Sequence, residues 1–224
     1  MHLVTLPGVF KPISDSRMLA DALRRETLPP GSRVLDLCTG SGFLALTAAL
    51  RGVRDVTAVD VSRRSLLTVR LNARLNGVRI RTLRGSLFEP VAGEAFDAIV
   101  SNPPYVPAED DELPTRGPQR AWDAGPDGRA LLDRLLAEAP DHLRPGGCLL
   151  VVHSSILGFD ASERMLREGG LRVDVAARAR GPLGPLMSAR REHLEARGML
   201  EPGQGEEDVH VIRARRPVNA PVPA

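Results

Sequence analysis

Aromatic side chains are scarce in this chain: five Phe, one Tyr and one Trp in 224 residues, 3% in all. A core must therefore come mainly from Leu, Val, Ala and Ile, and a hydrophobic content of 42% supplies enough for one sizeable domain. Cysteine is nearly absent too. Cys38 and Cys148 make no CxxC pattern and no disulfide framework, which fits a reducing compartment. Lysine occurs once, as Lys11; the other basic residues are arginines, an excess that reads as coding bias rather than function. No apolar run approaches the ~18 residues of a membrane span, and no charged stretch followed by an apolar core marks a signal peptide. A soluble, cytoplasmic setting is expected. Nor does one sign of charge dominate: 30 basic residues face 28 acidic ones, for a net +2. That balance argues against nucleic acid as a partner. The five histidines lack metal-ligand spacing, so no metal site is expected.

What is present alternates between two periodicities. Apolar runs at 33–37, 55–60, 78–83, 96–101, 148–152, 171–176 and 209–213 predict strands. Helices are predicted over 43–50, 63–76, 129–143 and 161–168, with Gly77 as the residue just past the second of these. An earlier helix runs through Met18, Leu19, Ala22 and Leu23, capped by Ser14 or Ser16 and ended by Pro29-Pro30-Gly31. Strands alternating with helices predict an α/β fold, a doubly wound parallel sheet with helices on both faces. Ligands of such sheets bind beyond the carboxyl ends of the strands. Residues 106–128, rich in Pro, Gly and acids, predict a long loop that is either functional or disordered. An amphipathic piece at 186–197 separates the last two strands, and residues 216–224 are expected to be a disordered tail.

The most informative segment is Asn102-Pro103-Pro104-Tyr105. Two prolines fix φ, remove two donors and stop the preceding strand in an extended turn. The carbonyls of that turn have no ladder partners. Asn102 adds an amide oxygen and nitrogen, and Tyr105 a flat apolar face with a polar tip. Together they make a socket for a planar group bearing N–H donors.

A second cluster lies upstream. Asp36 precedes a glycine turn, Cys38-Thr39-Gly40-Ser41-Gly42, and Asp60 ends the next strand about twenty residues on. Glycines there allow close approach of a ligand, and an acid at Asp60 can accept two ribose hydroxyls. This fits a dinucleotide or S-adenosylmethionine. The turn does not complete a GxGxxG fingerprint and no hydride-transfer constellation is visible. Asp36, before the turn, can face the ammonium of a cofactor that has no pyrophosphate. Both details favour S-adenosylmethionine.

The order Val34-Leu35-Asp36-Leu37-Cys38-Thr39-Gly40-Ser41-Gly42, Asp60, Asn102-Pro103-Pro104-Tyr105 resembles class I S-adenosylmethionine-dependent methyltransferases. Within these it resembles the HemK/PrmC type, protein-glutamine methyltransferases of translation termination factors. Residues 9–16 resemble that family's V-Y-x-P-x-x-D-[ST] entry segment. Residues 121–129 resemble the A-W-x-x-G-x-x-G-R segment of its short, single-domain branch. The resemblance covers residues 8–176. It implies a Rossmann-like sheet of seven mostly parallel strands with a C-terminal antiparallel strand, in a single domain over residues 1–215. By position it implies that Ser16 places a hydroxyl near the cofactor, that Asp36 and Gly40 line its methionine part, and that Cys38 and Gly42 belong to the same cofactor site. Asp60 and Val61 would serve the ribose, Ser86 and Leu87 the adenine, and Asn102 both cofactor and acceptor. It further implies a release-factor protein as substrate and, in the short branch, a small activator subunit.

Three departures stand out. Cys38 replaces a common first glycine, Ser86 replaces a common aspartate, and residues 181–207 form a longer insertion than the family pattern, expected to be a lid or recognition element on the substrate side. A glutamine amide nitrogen is a poor nucleophile because its lone pair is delocalised. Acceptors at Asn102 and the Pro103 carbonyl would draw density back onto it, with Tyr105 stacked on the amide. His153 at the end of the fifth strand is a further candidate. Alternatives are a small-molecule amine or amide N-methyltransferase, an adenine-N6 methyltransferase, which the NPPY element also permits, and a non-catalytic binding module.

Overall fold

The structure, a computed structural model, describes residues 1–109, 113–114 and 117–219. Seven strands form one sheet: β1 (Arg33–Leu37), β2 (Asp55–Asp60), β3 (Arg81–Arg84), β4 (Phe96–Ser101), β5 (Leu143–Ser154), β6 (Arg172–Pro182) and β7 (Glu206–Arg215). Their order is β3-β2-β1-β4-β5-β7-β6. All neighbours run parallel except β7, which is antiparallel to both β5 and β6. Strand order reverses between β1 and β4, which opens a crevice at their carboxyl ends. This is the expected class I methyltransferase sheet.

The strands alternate their faces, and the two faces carry separate cores. Val34, Val56, Ala98 and Leu150 point toward α1 (Ser14–Arg25), α2 (Phe43–Leu50) and α3 (Arg63–Leu75). Leu35, Leu37, Ile99 and Leu149 point toward α4 (Ala130–Glu138) and α5 (Phe159–Glu168). The expected aliphatic core is what packs, joined by only two fully buried phenylalanines, Phe88 and Phe96.

Several expected boundaries move, each for a local reason. Neither Ser14 nor Ser16 caps α1: Ile13 precedes the helix, Ser14 bonds Asp15, and Ser16 turns toward the crevice. The helix expected to reach 143 ends at Glu138 because Pro140 has no N–H to donate, and the chain continues as a 3-10 turn, Ala139–His142. The third strand starts at Arg81 rather than 78, since the Val78 N–H is used to close α3. β6 and β7 are longer than expected because they pair as one antiparallel hairpin from Arg172↔Arg215 to Pro182↔Glu206. The amphipathic piece between them is two short helices, α6 (Pro185–Ala189) and α7 (Arg191–Ala196). Of the expected tail, Arg216 is tied to the Gly147, Pro140 and Leu143 carbonyls, and residues 220–224 lie outside the described residues. Among the described residues no helix is long and apolar enough to cross a membrane.

Candidate active site

The crevice begins where β1 turns into α2. Cys38 takes a left-handed φ of 55°, a conformation that costs a side-chain-bearing residue about 1 kcal/mol. Gly40 follows at φ 53°, and its N–H donates to Asp60 Oδ2 (3.0 Å). The Ser62 N–H donates to the other carboxylate oxygen (2.8 Å). Asp60 is thus fixed by backbone donors with lone pairs to spare. Burial raises its pKa, while those two bonds and the nearby Arg120 oppose the shift.

Asp36 sits beneath this turn and is 0% exposed. Its Oδ2 accepts from Thr39 Oγ1 (2.5 Å) and the Ala45 N–H (2.9 Å), while its Oδ1 has no partner among the described residues. Burial pushes its pKa up to about 7, against the pull of the two hydrogen bonds. The proton is therefore held more tightly folded than unfolded. The stability Asp36 contributes is complete below its unfolded value of 3.8 and is lost as pH rises through about 7. Denaturant melts at pH 5 and pH 8 check this: Asp36→Asn should flatten the fall between them by up to about 3 kcal/mol relative to the parent. Identical slopes in the two proteins would refute it.

A cavity of about 130 Å³ brings together Cys38, Gly40, Asp60, Val61, Ser86, Leu87 and Asn102. Leu87, like Cys38, holds a positive φ of 46° on this wall. Three expected cofactor residues do not line it: Ser16 stands behind Asn102, to which it is hydrogen-bonded, and the other two are Asp36 and Gly42. Asp36 lies in the floor below. Gly42 faces α3, where a Cβ would stand 2.9 Å from Val69 Cγ2, so that glycine lets α2 pack on α3. Several lining residues escaped the sequence reading, among them Phe10, Arg120 and Leu131. Phe10 belongs to the entry segment and Leu131 to α4, and Arg120 immediately precedes the Ala121-Trp122 pair. Their adjacency to the motifs was the available signal.

A second, larger cavity of about 620 Å³ adjoins the first and shares Asn102 and Pro104 with it. Pro103, Tyr105 and Asp15 line it. Asn102 Nδ2 donates to Ser16 Oγ (3.0 Å), and the Tyr105 hydroxyl donates to Asp15 Oδ2. The Asp-Ser pair at the start of α1 therefore clamps both ends of the proline turn. With Nδ2 engaged, Asn102 Oδ1 has no donor among the described residues. The turn is held from behind as well: the Val106 and Ala108 N–H groups donate to the Trp122 and Gly125 carbonyls, and the Ala124 N–H donates to the Val106 carbonyl. Gly128, at φ 72°, lets that segment close on the motif, since a Cβ there would lie 2.6 Å from the Tyr105 carbonyl oxygen. Much of the expected loop is thus laced to the motif; residues 110–112 and 115–116 lie outside the described residues. His153 lines neither cavity. It is fully buried, its Nδ1 lies 2.8 Å from the Ser154 carbonyl, and burial lowers its pKa to about 4.

These residues suit S-adenosylmethionine: an unpartnered buried carboxylate oxygen under a glycine turn, a second carboxylate at the next strand end, and an enclosed apolar slot. A family model described as the methyltransferase small domain matches residues 1–115. A putative protein N5-glutamine methyltransferase of Methanocaldococcus jannaschii is 34% identical over 181 residues, 81% of this chain and 90% of that protein. The chain belongs to the HemK/PrmC family of S-adenosylmethionine-dependent methyltransferases. The release factor glutamine methyltransferase of Geobacter sulfurreducens is 35% identical over 173 residues, and this methyltransferase spans 59% of its length. The solved E. cuniculi Mtq2–Trm112 complex, which methylates the eRF1 termination factor, shares the fold with a TM-score of 0.62. It is 24% identical, over 93% of this chain and 99% of that one.

Proposed function

We propose that this methyltransferase transfers one methyl group to a glutamine side-chain amide of a protein, in a Gly-Gly-Gln loop of a release factor, in the cytoplasm. Residues 1–215 act as one domain. The carrying observation is that Asn102 lines both cavities while its Nδ2 is engaged by Ser16. Its Oδ1 is left as an acceptor at the junction of cofactor and acceptor sites.

The roles follow from placement. Asp60 holds the ribose and Val61 flanks it, while Ser86 and Leu87 bound the adenine. Cys38 and Gly40 face the methionine end, and Asp36 meets its ammonium from below. Gly42 serves the turn by packing, and Ser16 acts through Asn102. S-adenosylmethionine supplies a methyl group on a positively charged sulfur. The chain's part is alignment and exclusion of water. Asn102 Oδ1 and the Pro103 carbonyl accept the two N–H groups of the amide, which keeps its lone pair on nitrogen and aimed at the cofactor cavity. Tyr105, fixed by Asp15, packs on the amide plane.

A mass measurement tests this. A release factor incubated with the enzyme and cofactor should gain the mass of one methyl, located on the Gly-Gly-Gln glutamine. A gain elsewhere would remove glutamine as the acceptor. A small accessory subunit would find an exposed apolar row on α3, Leu67, Leu71 and Leu75, which share one helix face.

A further inference from the structure

The insertion between β6 and β7, expected to be a lid or a recognition element on the substrate side, makes the contacts of a fixed wall. Leu183, Met187, Leu194 and Leu200 bury themselves against Val106, with Tyr105 and Trp122 packed at the edge. Polar ties reinforce this. Arg190 Nη1 donates to the Pro107 carbonyl (2.7 Å) and pairs with Asp123 (2.6 Å), with side chains only 20% and 11% exposed. Arg190 thus joins the two backbone segments that hold Tyr105 in place. Glu207, at the neck of the hairpin, accepts from the Gly184 N–H (2.8 Å) and fixes where the insertion departs.

The outer surface of this wall is part of the larger cavity. Pro185 and Leu186 face it from one side, and Ile13 and Met18 from the α1 side, with the proline turn as floor. Leu186 is 37% and Ile13 46% exposed, so both present free apolar surface to the cleft. A cavity of about 620 Å³ lies in the range that encloses a whole drug-sized ligand, well beyond one side-chain amide. The space beside the acceptor amide is continuous with the site and apolar on both sides.

Resting on the proposed glutamine acceptor, we infer that the insertion is a substrate-reading wall. It takes an aliphatic or aromatic side chain of the acceptor protein that flanks the methylated glutamine, between Leu186 and Ile13. Arg190 is the positioning residue that sets the wall's distance from Tyr105.

Steady-state kinetics on the intact release factor test this, with Leu186→Arg in the full chain. Burying a leucine-sized contact predicts a rise in KM of roughly 10-fold or more. kcat, cofactor affinity and the melting temperature should stay as in the parent. Ile13→Arg should give the same pattern from the opposite wall. An unchanged KM in both variants overturns the inference, as does a fall in kcat without a rise in KM. Absence of transfer by the parent to any release factor would sink the glutamine reading and this one together, and is seen before any variant is made.

Discussion

Replacing Asn102 by Ala should lower kcat by roughly 10²-fold or more while changing cofactor affinity only a few-fold. The reason is geometric. Asn102 holds its amide nitrogen on Ser16 and so presents a single, oriented oxygen where the two cavities meet. That oxygen acts on the acceptor amide as its nitrogen becomes nucleophilic, and a contact that strengthens toward the transition state appears in kcat. Ser16→Ala leaves the oxygen in place but frees the amide to rotate, so a smaller loss, roughly 10-fold, is expected. Single-turnover transfer and cofactor titration on the same preparations separate the two effects. Near-parental turnover in Asn102→Ala would refute the mechanism.

The second large effect belongs to Asp60. Its carboxylate is fixed by the Gly40 and Ser62 N–H groups and opens into the smaller cavity. Charge-assisted hydrogen bonds to two ribose hydroxyls are worth about 1.5–3 kcal/mol each, so Asp60→Ala should weaken cofactor binding by roughly 10²-fold or more. Asp60→Asn keeps the shape and one acceptor, and should fall between. Calorimetric titration with S-adenosylmethionine reads both. Equal affinities across the series would place the ribose elsewhere.

The sheet was legible because its strands are short apolar runs separated by glycine and proline, and alternation with helices leaves few topologies. Asp60, Ser86 and Asn102 could be placed from sequence because each falls at or just after the carboxyl end of a strand. The remainder needed three dimensions. Ser14 and Ser16 have the composition of helix caps, yet tertiary contact with Asn102 claims Ser16. Gly42 reads as a ligand-facing glycine, but Val69, distant in sequence, occupies the space a side chain would take. Asp36 lies one residue before the strand end, and strand alternation turns it into the layer under the cavity rather than its wall. Arg120 sits in a segment without periodicity and Arg190 in an amphipathic piece whose pattern names no partner, so only the folded chain shows what they touch. The insertion could be noticed by its length, but its pairing with the 105–107 and 122–123 segments was not encoded in any local pattern.

Transfer of radiolabelled methyl from S-adenosylmethionine tests the central claim most directly. The purified enzyme is offered release factors in one reaction and a small-metabolite extract, free of macromolecules, in another. Label should appear on a release factor and vanish when its Gly-Gly-Gln glutamine is replaced by alanine. Label confined to the small-molecule fraction would contradict the account and make a metabolite amine or amide the acceptor.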